Sequence, residues 1–422
     1  MSSAKPSIGA AAKIWAKIGV LSFGGPAAQI SLMHREVVDD RKWLSEQQFL
    51  NALSFCMLLP GPEAMQLATY AGWRLHGVVG GLIAGLLFVL PGALVMLALS
   101  VLYAAFGQVP LVDALFLGIK ATVVIVVIEA LLRVSKKALL NRAHWIIAAL
   151  AFIGIFALKV PYPMIVILAG LYGYVFAERS VDITNLSALQ QSPTNSLKTI
   201  TLWLGIWFAP LLALRFSLPA SILNDIGIFF SKLAVVTFGG AYAVLAYMGQ
   251  DVVENSAWLT AGQMMDGLGL AETTPGPLIL VTQFVGFMAA HADGGYGLAI
   301  AATVVTLWAT FVPCFLWIFV GAPYIDWISS RPRLKGALTA ITAAVVGVIL
   351  NLSIWFALHV FFTSVETVSW GVVHTSMPDI STINWRAVAI AICAGIAMLR
   401  FHAGIIKVLV VAAFAGWATS LI

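Results

Sequence analysis

The chain has 422 residues, of which 61% are hydrophobic and 10% charged, with a mean hydropathy of +0.98. Soluble domains carry about 25% charged residues, so this composition cannot cover the surface of a 45.0 kDa globule in water. It excludes a cytosolic enzyme, a nucleic-acid binder and a disordered scaffold. The 23 Lys and Arg only slightly exceed the 18 Asp and Glu, so where each charge sits says more than the sum.

A membrane-crossing helix needs about 20 mostly apolar residues. The first apolar stretch, 8–33, is interrupted by Phe23-Gly24-Gly25-Pro26, and the second, 47–73, by Pro60-Gly61-Pro62. Uninterrupted runs follow at 77–106, 111–133, 143–160 and 162–178, the last two parted only by Pro161-Tyr162-Pro163. Residues 179–197 are polar and read as a surface linker, before a further apolar run at 198–216. Stretch 222–248 is again broken, at Phe238-Gly239-Gly240, and stretch 262–290 at Pro275-Gly276-Pro277. Unbroken runs at 296–322, 335–361, 384–400 and 402–421 close the chain, the last two parted by Arg400-Phe401-His402. That makes about 13 hydrophobic segments, nine of them predicted to cross. The runs are long and lack period-two alternation, which predicts an all-α polytopic membrane protein and excludes a strand barrel.

Minor features add little. Lys13 and Lys17 interrupt the N-terminal apolar stretch, so no cleavable signal is expected there. Cys56, Cys314 and Cys393 are isolated in apolar runs and read as small buried hydrophobes. His34, His76 and His291 have no ligand spacing, so neither a metal nor any other cofactor is expected.

The breaks repeat. Gly24-Gly25, Val38, Trp43 and Pro60-Gly61-Pro62 recur 215 positions later as Gly239-Gly240, Val253, Trp258 and Pro275-Gly276-Pro277. Phe23–Pro62 and its counterpart share 14 identities in 40 positions, without a gap. Pro91 and Pro110 likewise match Pro313 and Pro332 at an offset of 222. The chain therefore reads as an N-terminal transporter repeat, 1–178, a linker with an inverting helix, 179–221, and a C-terminal repeat, 222–422.

Loop charges give the direction of the second repeat. Arg35, Arg41 and Lys42 lie in loop 35–42, whereas its equivalent, 250–257, holds Asp251 and Glu254 and no basic residue. Loop 107–113 has only Asp113, and its equivalent, 329–335, has Arg331, Arg333 and Lys335. Loop 133–142 has Arg133, Lys136, Lys137 and Arg142, and its equivalent, 362–383, has none. Lys and Arg favour the cytoplasmic side, so the halves are predicted to be inverted, helix 198–216 supplying the extra crossing. Parity then makes the four broken stretches re-entrant. Should 8–33 cross instead, 222–248 crosses too.

Inverted repeats place substrate near the midplane at broken helices. Half-helix N-termini offer unpaired N–H groups and partial positive charge, which suits anions. Proline removes a donor and glycine lets the chain turn, so Pro60, Pro62, Pro275 and Pro277 are read as structural breaks. The candidate anion site comprises Lys17, Gly24, Gly25, Gly61, Lys232, Gly239, Gly240 and Gly276, with the two lysines each six residues before a Gly-Gly pair. A competing reading has the lysines snorkelling to headgroups and the glycines serving close helix packing. Glu63, Glu272 and Glu129 are candidate proton-coupling carboxylates, or members of ion pairs. Trp43 and Trp258 read as interfacial anchors.

The doubled FGG…W…PGP pattern, complete in both copies, resembles the long two-domain form of the chromate ion transporter family over nearly the whole chain. The departures are Ala241 and Leu278 in place of Pro26 and Glu63. The resemblance implies secondary efflux of chromate across a bacterial inner membrane, chromate resistance and sulfate as competitor. It implies no enzymatic reduction. No GxxxxGK[ST] nucleotide motif is present, so membrane potential, with or without protons, is the expected drive. A sulfate or other oxyanion uptake carrier is the nearest alternative. A membrane enzyme on a lipid-phosphate substrate is the alternative of another class, and the polar catalytic cluster it requires is absent. Beyond the substrate and the lipid bilayer, a homodimer is compatible with the sequence, and nucleic acid is not a partner.

Overall fold

The structure is a computed structural model that describes residues 6–177, 193–238, 241–325, 331–371 and 373–421. Helices dominate it. Helix α1 (Ile8–Leu21) stops before the first Gly-Gly pair, and α2 (Gly25–His34) starts at it and widens into a π-turn, Arg35–Asp39. Ser45 and Gln48 form a reciprocal capping box at the start of α3 (Glu46–Cys56). After Pro60-Gly61-Pro62 comes α4 (Glu63–Phe106), broken at His76–Gly77. Three helices complete the first half: α5 (Pro110–Ala138), α6 (Arg142–Phe156) and α7 (Tyr162–Phe176).

Helix α8 (Pro193–Ser217) leads into α9 (Ile222–Val236), which ends before the second Gly-Gly pair. Gly239 and Gly240 lie outside the described residues, as does most of the 179–197 linker. Next come α10 (Ala241–Gln250) with a π-turn at Asp251–Asn255, then α11 (Ala261–Thr273). Beyond Pro275-Gly276-Pro277, a short 3-10 turn opens α12 (Val281–Gly321), broken at Gly294–Gly295. The chain ends with α13 (Pro332–Phe361), a hairpin of β1 (Val365–Trp370) and β2 (Val373–Pro378), α14 (Trp385–Gly395) and α15 (Ile405–Ser420).

Local geometry recurs at the 215-residue offset. Trp43 N–H donates to Val37 O at 2.8 Å, and Trp258 N–H to Val252 O at 2.8 Å. Lys42 and Ala257 both have positive φ, 52° and 50°. The Ser45–Gln48 capping box is matched by Thr260 and Gln263, whose two bonds measure 2.9 and 3.1 Å.

Five helices are long and apolar enough to cross a membrane: Glu63–Phe106, Pro110–Ala138, Ser196–Ser217, Leu278–Tyr324 and Pro332–Phe361. This is fewer than the nine unbroken runs of the sequence. Helices α6 and α7 have 15 residues each and α15 has 16, about 22–24 Å of rise against a hydrocarbon core of about 30 Å. The turns between them shorten these helices. Lys159 and His402 take positive φ, 51° and 53°, so each helix ends before its apolar run does. The 362–383 loop also differs from expectation, because Val365, Thr367 and Val368 give it strand character and Gly371, at φ 63°, turns it.

The chain folds as two compact units, and neither is a sequence half. One comprises Met1–Ser100, Glu178–Ala241 and Thr274–Lys335; the other comprises Val101–Ala177, Tyr242–Thr273 and Gly336–Ile422. In the first, α9 and α8 pack on α12, with Trp203 stacked on Phe315 at 5.8 Å. There α4 doubles back at its break, so that Gly72 faces Gly80. In the second unit α5 packs antiparallel to α15 through small residues: a Cβ on Gly118 would stand 1.7 Å from Ala412 O, and one on Gly416 would stand 2.4 Å from Ala114 O. Close backbone approach of this kind is how helices associate in lipid. Large apolar side chains stay exposed along the outer faces, among them Leu94, Leu150, Ile167, Val175 and Val411.

Lys17 and Arg41 clamp one carboxylate. Lys17 Nζ lies 2.7 Å from Glu36 Oε1, and Arg41 Nη1 lies 2.6 Å from Oε2. Burial works against the charged form of Glu36, but the two cations outweigh it and hold the carboxyl below the ordinary carboxylate range.

Two expectations follow. Gly118→Ala should lower stability in detergent by about 1–3 kcal/mol. Gly154→Ala, whose Cβ would meet nothing closer than 3.8 Å, should be neutral or slightly stabilising, as read by thermal unfolding of both variants. Lys17→Met should cost about 1 kcal/mol near neutral pH, since Lys17 is half exposed and Arg41 remains. Glu36's depressed value adds stability above the ordinary carboxylate range and loses it as pH falls through that value. On acidification through the carboxylate range the wild type should therefore lose more stability than the variant, and the difference should vanish once Glu36 is protonated.

Candidate functional site

In the first unit the breaks are tied in two pairs, and by backbone rather than by charge. Gly61 N–H donates to Thr237 O at 2.8 Å, and Gly276 N–H donates to Ser22 O at 2.8 Å. Ser22 and Thr237 are the residues just before the two FGG segments, and Gly61 and Gly276 are the centres of the two PGP segments. Each Pro-Gly-Pro loop is thus tied to the Gly-Gly break of the opposite half. Ser22 and Thr237 also hold themselves in the same way, each hydroxyl donating one turn back, to Ile18 O and Leu233 O, both at 2.6 Å.

Backbone conformation demands glycine at both loop centres. Gly61 has φ 119° and Gly276 φ 90°, a region closed to ordinary L-residues. A Cβ on Gly61 would also stand 2.8 Å from Gln66 Nε2 and 3.0 Å from Cys314 Sγ. The second loop lies directly against α4, where a Cβ on Gly92 would stand 2.0 Å from Pro275 O. Gly92, next to the kinking Pro91, therefore lets the long helix touch the loop.

Buried amides complete the frame. Gln29 Nε2 donates to Gly276 O at 2.6 Å, Gln66 Nε2 to Pro60 O at 2.7 Å, and Gln283 Nε2 to Ala93 O at 2.8 Å. All three side chains are essentially without solvent contact. Among the described residues none offers a hydrogen bond to the Oε1 of any of the three. Reasoning from sequence missed these glutamines. Their only signal was an amide standing alone in an apolar run.

Helix ends face the breaks. Helix α2 begins at Gly25 with Gly24 as N-cap, at φ 85°, and has no side-chain cap. Among the described residues nothing lies within 4 Å of the point where a Cβ of Gly25 would stand. An uncapped first turn bordering open space can accept an anion through N–H groups. Glu63 opens α4 directly after Pro62 and is partly buried.

The structure places Gly276 against Ser22 and Gln29, which flank Gly24–Gly25, and Gly61 against Thr237, just before the second FGG segment. It does not bring the lysines there. Lys17 is taken by Glu36, because 19 residues of chain return the 35–42 loop to the second half of α1. Lys232 is exposed on α9, in a groove it shares with Trp207, Leu211 and Arg215. The other carboxylates lie in the second unit. Glu272 is buried and accepts from Tyr242 O–H at 2.8 Å, while Glu129 is paired with Arg133 at 2.5 Å. Among the described residues no His, Cys, Asp and Glu cluster could hold a metal.

The family model described as "Chromate transporter" matches residues 10–174 and 224–417, once in each half. The chain is 35% identical over 339 residues to the chromate transport protein of Pseudomonas aeruginosa, covering 79% of this chain and 77% of that one. It is 29% identical to the chromate transport protein of Cupriavidus metallidurans over 338 residues, 79% of this chain and 78% of the other. An uncharacterized transporter of Bacillus subtilis is 30% identical over 158 residues, only 36% of this chain but 88% of its own length. No solved structure matches the chain. The broken-helix frame therefore sits in a multi-pass membrane protein that belongs to the chromate transporter family.

Proposed function

We propose that the protein is a secondary transporter that exports chromate across the bacterial inner membrane and so confers chromate resistance. The observation that carries this reading is the crossed pair of hydrogen bonds, Gly61 to Thr237 and Gly276 to Ser22, at the same 2.8 Å. Under the 215-residue repeat each bond is the image of the other. A pair of inverted repeats, 1–178 and 222–422, facing each other across α8 and the linker, would produce that reciprocity. The opposite basic content of equivalent loops supports the inversion. So does the half-length relative in Bacillus subtilis, which has the size of one repeat.

The anion is bound by main chain. The uncapped first turn of α2 supplies N–H groups and the positive end of a helix dipole. The second Pro-Gly-Pro loop, tied to Ser22 and Gln29, borders it without bulk. With Lys17 held by Glu36, a dianion meets dipoles rather than a fixed cation, which favours release over tight capture. Sulfate has the same shape and charge and competes. Expelling a dianion from a negative interior gains about 4.6 kcal/mol per 100 mV, at about 2.3 per charge. Membrane potential alone therefore drives net efflux. Protons add to it through buried carboxylates. No catalytic step is part of this reading.

Purified protein in liposomes should move chromate toward the positive side under an imposed potential, and sulfate should compete. Absence of chromate flux under any potential or pH gradient would overturn the reading, and flux only in the uptake direction would convert it to an uptake carrier. Gly61→Val and Gly276→Val should each abolish flux while the protein still inserts and elutes as wild type. Wild-type flux in both would remove the loops from the site.

A further inference from the structure

Helix α11 carries a carboxylate that neither the motifs nor the repeat marked. Asp266 is 5% exposed. Tyr103 O–H, at the end of α4, donates to its Oδ2 at 2.8 Å. Its other oxygen, Oδ1, accepts no hydrogen bond among the described residues. The nearest cation, Lys120 Nζ on α5, stands 3.6 Å from Oδ1 and also 3.6 Å from Asp113 Oδ1.

These distances set the cluster apart from the other ion pairs. Lys17 and Arg41 close on Glu36 to 2.7 and 2.6 Å, the range of charge-assisted hydrogen bonds. Lys120 closes on neither carboxylate and lies midway between a buried one and one whose side chain is 75% exposed. It is ten residues into α5, about 15 Å along the helix. Charges at such depth are costly and are kept where they bind or move ions. A purely structural pair would gain by closing to contact. An unbonded carboxylate oxygen away from water is likewise costly, and a proton would relieve it.

We propose that Asp266 is a proton-binding site and that Lys120 is its mobile counter-charge, passing to Asp113 when the proton arrives. The step adds one proton from the aqueous phase at Asp113 to Oδ1 of Asp266. No other bond forms or breaks, and Lys120 stays an ammonium throughout. The charge of the three groups rises from −1 to 0. Every group acting on Asp266 is in this set: Tyr103 from α4, and Lys120 and Asp113 from α5. Lys407, the ionisable residue of neighbouring α15, lines a groove with α14 instead. Helix α11 ends at Thr273, and the chain runs on into Pro275-Gly276-Pro277, so the proposed coupling would follow this stretch of chain. Proton coupling rests on the transport reading above, whereas proton binding at Asp266 does not.

Two measurements on the full-length protein separate these. Infrared titration in lipid nanodiscs should show a protonated-carboxyl band that Asp266→Asn removes, Asp266→Glu shifts and Asp113→Asn retains. An unchanged band in Asp266→Asn overturns the proposal whether or not chromate is moved. In proteoliposomes, Asp266→Asn should lose the part of chromate flux that depends on a pH gradient and keep the part driven by potential. Retention of the pH-dependent part would overturn coupling through Asp266. A wild type that moves no chromate would instead overturn the transport reading. Elution profile and the Asp266→Glu variant distinguish loss of the proton site from loss of fold.

Discussion

A helix that breaks inside a membrane must satisfy its freed backbone groups without water. In this protein the need is met twice, and each half meets it for the other. Prolines flank Gly61 and Gly276 on both sides and have no N–H, so each glycine carries the one amide donor of its Pro-Gly-Pro triplet. Their N–H groups reach the carbonyls of Thr237 and Ser22, where α9 and α1 have just ended. Stability and function therefore share one set of bonds. If the frame opened, it would expose polar backbone in apolar surroundings.

Around this frame the equivalent positions are unequal. Gln29 and Gln66 fasten the loops in one half, and the residues 215 positions on are Val244 and Val281. The second half has the buried Tyr242–Glu272 bond, where the first has Ala27 and Met57. Conformations open to opposite sides, in the proposed cycle, would then differ in energy. Such a difference sets how long each is populated. It does not set the direction of net flux, which gradients alone decide.

The sequence made the breaks legible because glycine and proline act locally and a doubled motif leaves little room for chance. Helix ends at Leu21 and Val236, and starts at Glu63 and Val281, fall where those residues place them. Partners across the fold were not legible. Lys17 looked like a ligand for anions because Glu36, its actual partner, sits in a loop whose return path the sequence does not encode in any short pattern. Asp266 and Gln29 are single polar residues in apolar helices, and only packing shows what they face. The lengths of α6, α7 and α15 were overread for a related reason. Apolar residues continue past the helix ends, and the turns at Lys159 and His402 are set by backbone geometry that hydropathy does not see.

The central claim is that chromate is held by main chain at the glycine-centred breaks. Anomalous diffraction at the chromium edge, on crystals of the protein grown with chromate, tests it most directly. The account predicts one chromium peak within hydrogen-bonding reach of the first turn of α2, bordered by Gly276. A peak at Lys232, at Lys120 or anywhere else on the molecule, with none at the breaks, would contradict it.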